Sequence, residues 1–218
     1  MNIREFIGML PFELWPIQKK ILLDVYEGNY NKAFIVLGTR GGATTLSTVF
    51  ALYECMIKPN NTLLAQTFVS LFSNCKESSK VQESNIRQIN VCDPVKICEE
   101  MKFFNPFISH TSLGIRNTAT ILDAYDFYPC SCTKIESKRI FDNACNSAVL
   151  DNGKIIVVSG MQKPKSLLME IYENYKEDPR TYSAFYNTWE INPNVTEEYL
   201  REEFKYNPTS FENYFVVH

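Results

Sequence analysis

The sequence has no excess of positive charge, no Cys-x-x-Cys pair and no long hydrophobic run, and each absence removes a class of function. Its 22 Lys and Arg against 25 Asp and Glu give a formal net charge of −3 over 218 residues. A chain that coats nucleic acid is usually strongly basic, so any nucleic-acid contact here must be local or shared among subunits. No apolar stretch approaches the ~20 residues that span a membrane. The start, Met1-Asn-Ile-Arg-Glu-Phe-Ile-Gly8, carries an acid early and does not read as a signal peptide. The 7 cysteines are an odd number, and the 2 histidines are His110 and His218, so neither a disulfide framework nor a zinc module is expected. Cys130-Ser-Cys132 with Cys145 is the nearest approach to a cluster, read either as a metal site or as thiols in a reducing cytosol. What is present is ample core material: 45% hydrophobic and 13% aromatic residues, with 8 Gly and 10 Pro. That excludes collagen-like, mucin-like and broadly disordered chains and fits one domain.

No internal repeat or low-complexity tract is found. Residues 13–27 space apolar positions at three and four, predicting a helix with Pro16 in its first turn, closed by Gly28-Asn-Tyr-Asn31. Ala33–Leu37 reads as a fully apolar strand, followed by a glycine-rich turn and a helix from about Thr44 to Ile57. Strands are expected at 62–65, 118–122, 154–158 and 183–187. Helices are expected at 68–80, 94–101, 135–149, 165–175 and 196–206. This alternation predicts an α/β domain with a mostly parallel sheet, and loops that follow the strands on its ligand-binding edge.

Four segments carry chemistry. Phe34-Ile-Val-Leu-Gly38-Thr39-Arg40-Gly41-Gly42-Ala43-Thr44-Thr45 is laid out as strand, glycine-rich turn and helix start. Such a turn lets backbone N–H groups curl round a phosphate at a helix N-terminus, with Thr44 placed to offer a hydroxyl to Mg²⁺. The alternative is a tight turn whose glycines serve packing, and Ala43 stands where a phosphate-reaching lysine is expected. Thr120-Ile-Leu-Asp123-Ala124-Tyr-Asp126 is an apolar strand ending in an acid. It delivers a second Mg²⁺-supporting carboxylate or simply a turn residue. Ala124 occupies the place of a water-polarising glutamate, and Asp126 reads as a displaced acid or, three residues further on, as an acid that points elsewhere. Ser159, at the tip of Ile155–Val158, reads as a γ-phosphate sensor or as the start of a turn. Trp15 and Gln18, before the loop, read as an adenine-recognising pair or as part of an ordinary amphipathic helix.

In this chain order the four segments resemble the ATPase half of the large terminase subunit, the DNA-packaging motor of tailed bacteriophages. Phe12-Glu-Leu-Trp-Pro-Ile-Gln18 is similar to the family's adenine-reading segment, and Gly38–Thr45 to its phosphate loop, where an arginine such as Arg40 is common before the glycines. Ile121–Phe127 is similar to its Mg²⁺ strand, and Val158-Ser-Gly160 to its coupling motif. Thr188-Trp-Glu-Ile-Asn-Pro-Asn-Val-Thr-Glu-Glu-Tyr-Leu200, with Asn207-Pro208 and Phe211, is similar to the segment closing the ATPase region. The resemblance implies a P-loop NTPase fold of the RecA/ASCE-like kind, with a mostly parallel central sheet and helices on both faces. It implies ATP and Mg²⁺ as cofactors. Nucleotide contacts fall on Trp15, Gln18, Gly38, Thr39, Arg40, Gly41, Gly42, Ala43, Thr44, Thr45 and Ser159. Metal contacts fall on Thr44 and Asp123, and catalytic positions on Asp123, Ala124 and Arg40. It divides the chain into an adenine-reading helical segment (1–30), an ATPase core (31–190) and a C-terminal helical segment (191–218) leading toward an absent nuclease domain.

The implied partners are double-stranded viral DNA, a portal protein, a small terminase subunit and further copies of the chain in a homo-oligomeric ring, with no membrane. The implied location is the cytoplasm of the infected host cell. Arg116 and Arg139 are candidates for an arginine acting on a neighbouring subunit, or for surface residues. Lys134, Lys138, Lys163 and Lys165 are candidates for a DNA-facing surface, or for a solvated one. Ala43 and Ala124 depart from the family pattern, and the expectation is little or no ATPase activity, from silencing substitutions in an isolated ATPase domain or from natural degeneration. A RecA-like helicase or translocase, a degenerate nucleotide-binding scaffold and a nucleotide kinase are the rivals. The kinase lacks its arginine-rich lid.

Overall fold

The computed structural model describes residues 1–57, 68–72, 101–104, 117–123, 125, 134–149, 153–160 and 166–217. In chain order these form α1 (Ile3–Met9), α2 (Pro16–Glu27), β1 (Lys32–Leu37), α3 (Ala43–Ile57), β2 (Phe68–Phe72), β3 (Met101–Phe104) and β4 (Asn117–Asp123). There follow α4 (Lys134–Val149), β5 (Lys154–Gly160), α5 (Leu167–Tyr172), β6 (Thr181–Tyr186), α6 (Thr188–Ile191), α7 (Glu197–Glu203) and α8 (Pro208–Tyr214). The strands make one six-stranded sheet in the order β3-β2-β4-β5-β1-β6. Every pairing is parallel, so all strands end at the same edge.

Period-two side-chain alternation divides the core between the two faces of the sheet. Ala33, Ile35 and Leu37 of β1, with Ile156 and Val158 of β5 and Ala119 and Ile121 of β4, pack against α1, α2 and α3. Phe34 and Val36, with Ile155, Val157 and Leu122, face Phe141 of α4 and Leu167, Leu168 and Ile171 of α5. Phe34 is 1% exposed, and its ring lies 5.6–6.0 Å from those of Phe141, Tyr172 and Tyr175. Helices on both faces therefore follow from central strands, β1 and β5, whose apolar runs are buried on both sides. A third cluster, Leu200, Phe211, Phe215 and Val216 with Trp189 and Phe204, gathers the C-terminal helices.

One expected element is overturned. Residues 68–80 read as a helix, but Phe68–Phe72 is a strand paired with both β4 and β3. Apolar residues at 68, 69, 71 and 72 satisfy either period, and long-range parallel pairing decides between them. The expected helix at 94–101 ends where β3 begins at Met101, and its other residues, like the strand at 62–65, lie outside the described residues. α1, α6 and α8 were not anticipated. α1 is only seven residues long, held by a capping box in which Glu5 N–H donates to Asn2 Oδ1 and Asn2 N–H to Glu5 Oε2, both at 2.9 Å. Among the described residues no helix is long and apolar enough to cross a membrane, and no cluster of three or more His, Cys, Asp or Glu is suited to a metal.

The start of β1 is tied to the turn before β6 by Lys32 Nζ and Asp178 Oδ2 at 3.2 Å. The Arg180 N–H, donating to Asp178 Oδ1 at 2.9 Å, and then Lys32 hold the Asp178 carboxyl down at about 2. A depressed carboxyl stabilises the fold above its unfolded value and loses that contribution as pH falls through the folded value. Asp178→Asn should therefore lower the thermal midpoint at neutral pH and flatten the loss of stability as pH drops from about 4 toward 2. A midpoint-against-pH series on both proteins checks this. Parallel curves would contradict it.

Candidate functional site

β1 ends at Leu37 and α3 begins at Ala43, so residues 38–42 turn the chain at the common edge of the sheet. Two residues there take left-handed backbone conformations, Arg40 (φ 65°) and Gly42 (φ 77°). Gly42 is required by space as well, since a Cβ would lie 2.3 Å from Gln18 Nε2 and 3.5 Å from Trp15 Cζ3. Gly38 is hemmed in by backbone, a Cβ there falling 2.6 Å from both Phe215 O and Thr188 N. The first amides of a helix have no intrahelical acceptor; in α3, Leu46 N–H reaches back to Gly42 O at 2.9 Å, leaving Ala43, Thr44 and Thr45 as the orphan positions. These amides and the helix dipole favour an anion in front of the loop.

Asp123 closes the site from β4. Parallel register sets Asp123 beside Val158 of β5 and Val36 of β1 beside Ser159, so the acid and the loop flank β5 at the same height. Asp123 is 1% exposed. Thr44 Oγ1 donates to its Oδ2 at 3.2 Å, and Ser47 Oγ donates to its Oδ1 at 3.0 Å. Both hydroxyls come from one face of the first turn of α3, three residues apart. Ser47 was missed in the sequence, although that i,i+3 spacing was the available signal. A half-buried hydroxyl against a buried carboxylate is a hard-oxygen donor set of the kind Mg²⁺ takes alongside phosphate oxygens.

The other sequence candidates are distributed around this pair. Gln18, 4% exposed, accepts the Trp15 N–H at 3.0 Å and donates through Nε2 to Gly41 O at 3.4 Å. Trp15 and Gln18 thus sit against the loop. Thr39, Gly42, Ala43, Thr44 and Thr45 are half-buried, Gly38 and Gly41 are buried, and Arg40 is exposed. Ser159 is fully buried and donates to Gly160 O at 2.9 Å, on the strand between loop and acid. Ala124, Asp126, Arg116, Lys163, Lys165, Cys130 and Cys132 lie outside the described residues. Arg139 is exposed on α4. Lys134 and Lys138 both pair with Glu170 of α5, Lys138 at 3.1 Å, and they hold the Glu170 carboxyl below its ordinary range. Cys145 is half-buried with its Sγ 4.0 Å from Tyr175 Oη, and burial pushes the thiol up.

The C-terminal segment also reaches the loop. Gly38 N–H donates to Tyr186 O at 2.9 Å and Thr39 N–H to Tyr214 O at 2.6 Å. Thr188 Oγ1 donates to Thr39 O at 2.8 Å, and Asn192 Nδ2 donates to Arg40 O at 3.1 Å. Sequence reading missed these roles, since no local signal links residues some 150 positions apart.

A glycine-rich strand-to-helix turn facing an acid across one strand of a parallel sheet defines a P-loop domain. A family model described as "Uncharacterized protein MJ0330, N-terminal P-loop domain" matches residues 67–216, more than half of the chain, and the chain belongs to that family. The matched stretch includes Asp123 and the C-terminal segment but begins after the glycine-rich turn. No curated protein matches the sequence. Among solved structures, the large terminase ATPase domain of Thermus phage P74-26 is similar over 97% of this chain and 96% of its own, with a TM-score of 0.73 and 12% identity. The large terminase of bacteriophage HK97 is similar over 99% of this chain, with a TM-score of 0.68 and 15% identity; the chain spans 55% of its length. The fold is therefore that of terminase ATPase domains.

Gly42→Ala tests the loop geometry independently of function. A left-handed alanine, pressed against Gln18, should cost about 1–2 kcal/mol or more. Urea unfolding reads this as a lowered midpoint. An unchanged midpoint would contradict the described turn.

Proposed function

We propose that this chain is the ATPase domain of a viral DNA-packaging terminase, coupling ATP hydrolysis to movement of double-stranded DNA into a procapsid, and that Ala43 and Ala124 leave it with little or no turnover. The observation that carries the reading is the 3.2 Å approach of Thr44 Oγ1 to the buried Asp123 carboxylate at the mouth of the glycine-rich turn. Likeness of fold to two phage terminases over nearly the whole chain supports the particular class. In this reading residues 1–30 approach the adenine, 31–190 are the ATPase core and 191–218 lead toward a further domain. Double-stranded DNA, a portal protein, a small terminase subunit and a ring of like chains are the partners, in the cytoplasm of an infected host.

The roles follow from the chemistry of each group. The Arg40 and Gly42 amides of the loop and the N-terminus of α3 hold the phosphates. Thr44 and Asp123 would hold Mg²⁺, which would supply positive charge against the phosphates. Ser47 keeps one carboxylate oxygen of Asp123 occupied so that the other faces Thr44. Trp15 and Gln18 flank the base, and Ser159 senses the γ-phosphate. Arg40, exposed at the loop tip, offers its guanidinium to phosphate in place of the missing lysine. Absence of a water-orienting carboxylate at 124 alone slows hydrolysis by roughly 10²–10⁴.

One rival is favoured by the same two alanines: a nucleotide-binding scaffold whose chemistry is lost. The double substitution Ala43→Lys with Ala124→Glu separates them. The terminase reading expects Mg²⁺-dependent phosphate release from the double variant, abolished again by Asp123→Asn, with little or none from the unaltered chain. A double variant that binds nucleotide yet never turns it over supports the scaffold. Robust turnover by the unaltered chain would refute the silencing.

A further inference from the structure

We propose that Thr188 and Asn192 are positioning residues of the nucleotide loop: by gripping two consecutive loop carbonyls from outside they hold the turn in the shape that directs the Arg40 N–H toward the phosphate side and closes the Gly41 N–H onto Gly38 O. This inference rests on the nucleotide reading above and deepens it. A trans peptide carries its C=O and the next residue's N–H on opposite sides, so a fixed carbonyl fixes the direction of the amide that follows.

Three successive carbonyls are held in this way. Thr188 Oγ1 donates to Thr39 O at 2.8 Å, Asn192 Nδ2 to Arg40 O at 3.1 Å and Gln18 Nε2 to Gly41 O at 3.4 Å. The amides that follow are those of Arg40, Gly41 and Gly42. Gly41 N–H is taken up by Gly38 O at 2.9 Å, which closes the turn and leaves Arg40 and Gly42 as the amides directed away from the clamping side chains. Arg40 needs such a hold, because a non-glycine residue at φ 65° sits in the left-handed region that side chains rarely adopt.

The clamping groups are themselves fixed. Asn192 is 7% exposed, and its Oδ1 accepts the Asn194 N–H at 3.0 Å, which orients the amide so that Nδ2 faces Arg40 O. Its backbone N–H donates to Thr188 O at 2.9 Å, so the two clamps occupy adjoining turns of one rigid piece. Thr188 is fully buried, and its N–H donates to Phe215 O at 3.0 Å. Loop and C-terminal segment are thereby joined side chain to backbone and backbone to backbone.

The test uses isosteric variants that remove the donor and spare the shape. Thr188→Val deletes the hydroxyl, Thr188→Ser retains it, and Asn192→Asp keeps the acceptor for Asn194 while removing the donor to Arg40. MgADP affinity is measured by calorimetry, and the Arg40 and Gly42 amide resonances by ¹⁵N NMR of the folded, ligand-free protein. We expect Thr188→Val and Asn192→Asp to weaken MgADP binding about 3- to 10-fold each, with Thr188→Ser within about twofold of the unaltered chain. The two amide resonances should move in Thr188→Val and Asn192→Asp and stay in place in Thr188→Ser. Unmoved resonances, or moved resonances with unchanged affinity, overturn the positioning role. No MgADP binding by the unaltered chain overturns the nucleotide reading instead, so the two failures are distinguishable.

Discussion

The site depends on a buried carboxylate held by two hydroxyls. Asp123, at the end of β4, is sealed from solvent and accepts from Thr44 and Ser47 on the first turn of α3. Burying an anion is costly unless it is hydrogen-bonded, so these donors help to hold an acid at the buried end of β4. They also lock α3 against β4 across β5. The direction in which the N-terminus of α3 points, and hence the direction its free amides face, is set by that contact. The parallel register of β4, β5 and β1 brings the partners to the same height.

A second set of contacts comes from the far end of the chain. Residues 186–217 supply backbone and side-chain partners to Gly38, Thr39 and Arg40, and Gly38 leaves no room for a side chain because Thr188 and Phe215 lie so near. Affinity coupling is reciprocal: whatever steadies the C-terminal cluster steadies the loop, and a ligand held by the loop steadies the cluster.

Much of the scaffold was legible because its signals are local. β1 and β5 carry uninterrupted apolar runs, β4 ends in an apolar pair before its acid, and α2 shows helical spacing behind Pro16. The glycine turn and the acid at 123 stood in the right order to suggest a shared pocket, and Thr44 and Asp123 do meet. Phe68–Phe72 misled because its apolar spacing suits either period and its identity as a strand is fixed by β4 and β3, remote in sequence. α1 and α6 are too short for periodicity to register. Ser47, Thr188 and Asn192 look like ordinary polar residues in the sequence, and they become informative only when tertiary structure brings them to Asp123 and to the loop carbonyls.

The central claim is that Thr44 and Asp123 form one magnesium–triphosphate pocket with the loop amides. Crystals of the protein grown with ADP and Mn²⁺ in place of Mg²⁺, with the metal located by anomalous scattering, test it most directly. The account predicts a single Mn²⁺ bonded to Thr44 Oγ1 and a β-phosphate oxygen, with Asp123 reaching it directly or through one water. Mn²⁺ and ADP bound away from that pair, or a loop that stays bare at saturating nucleotide, would contradict it.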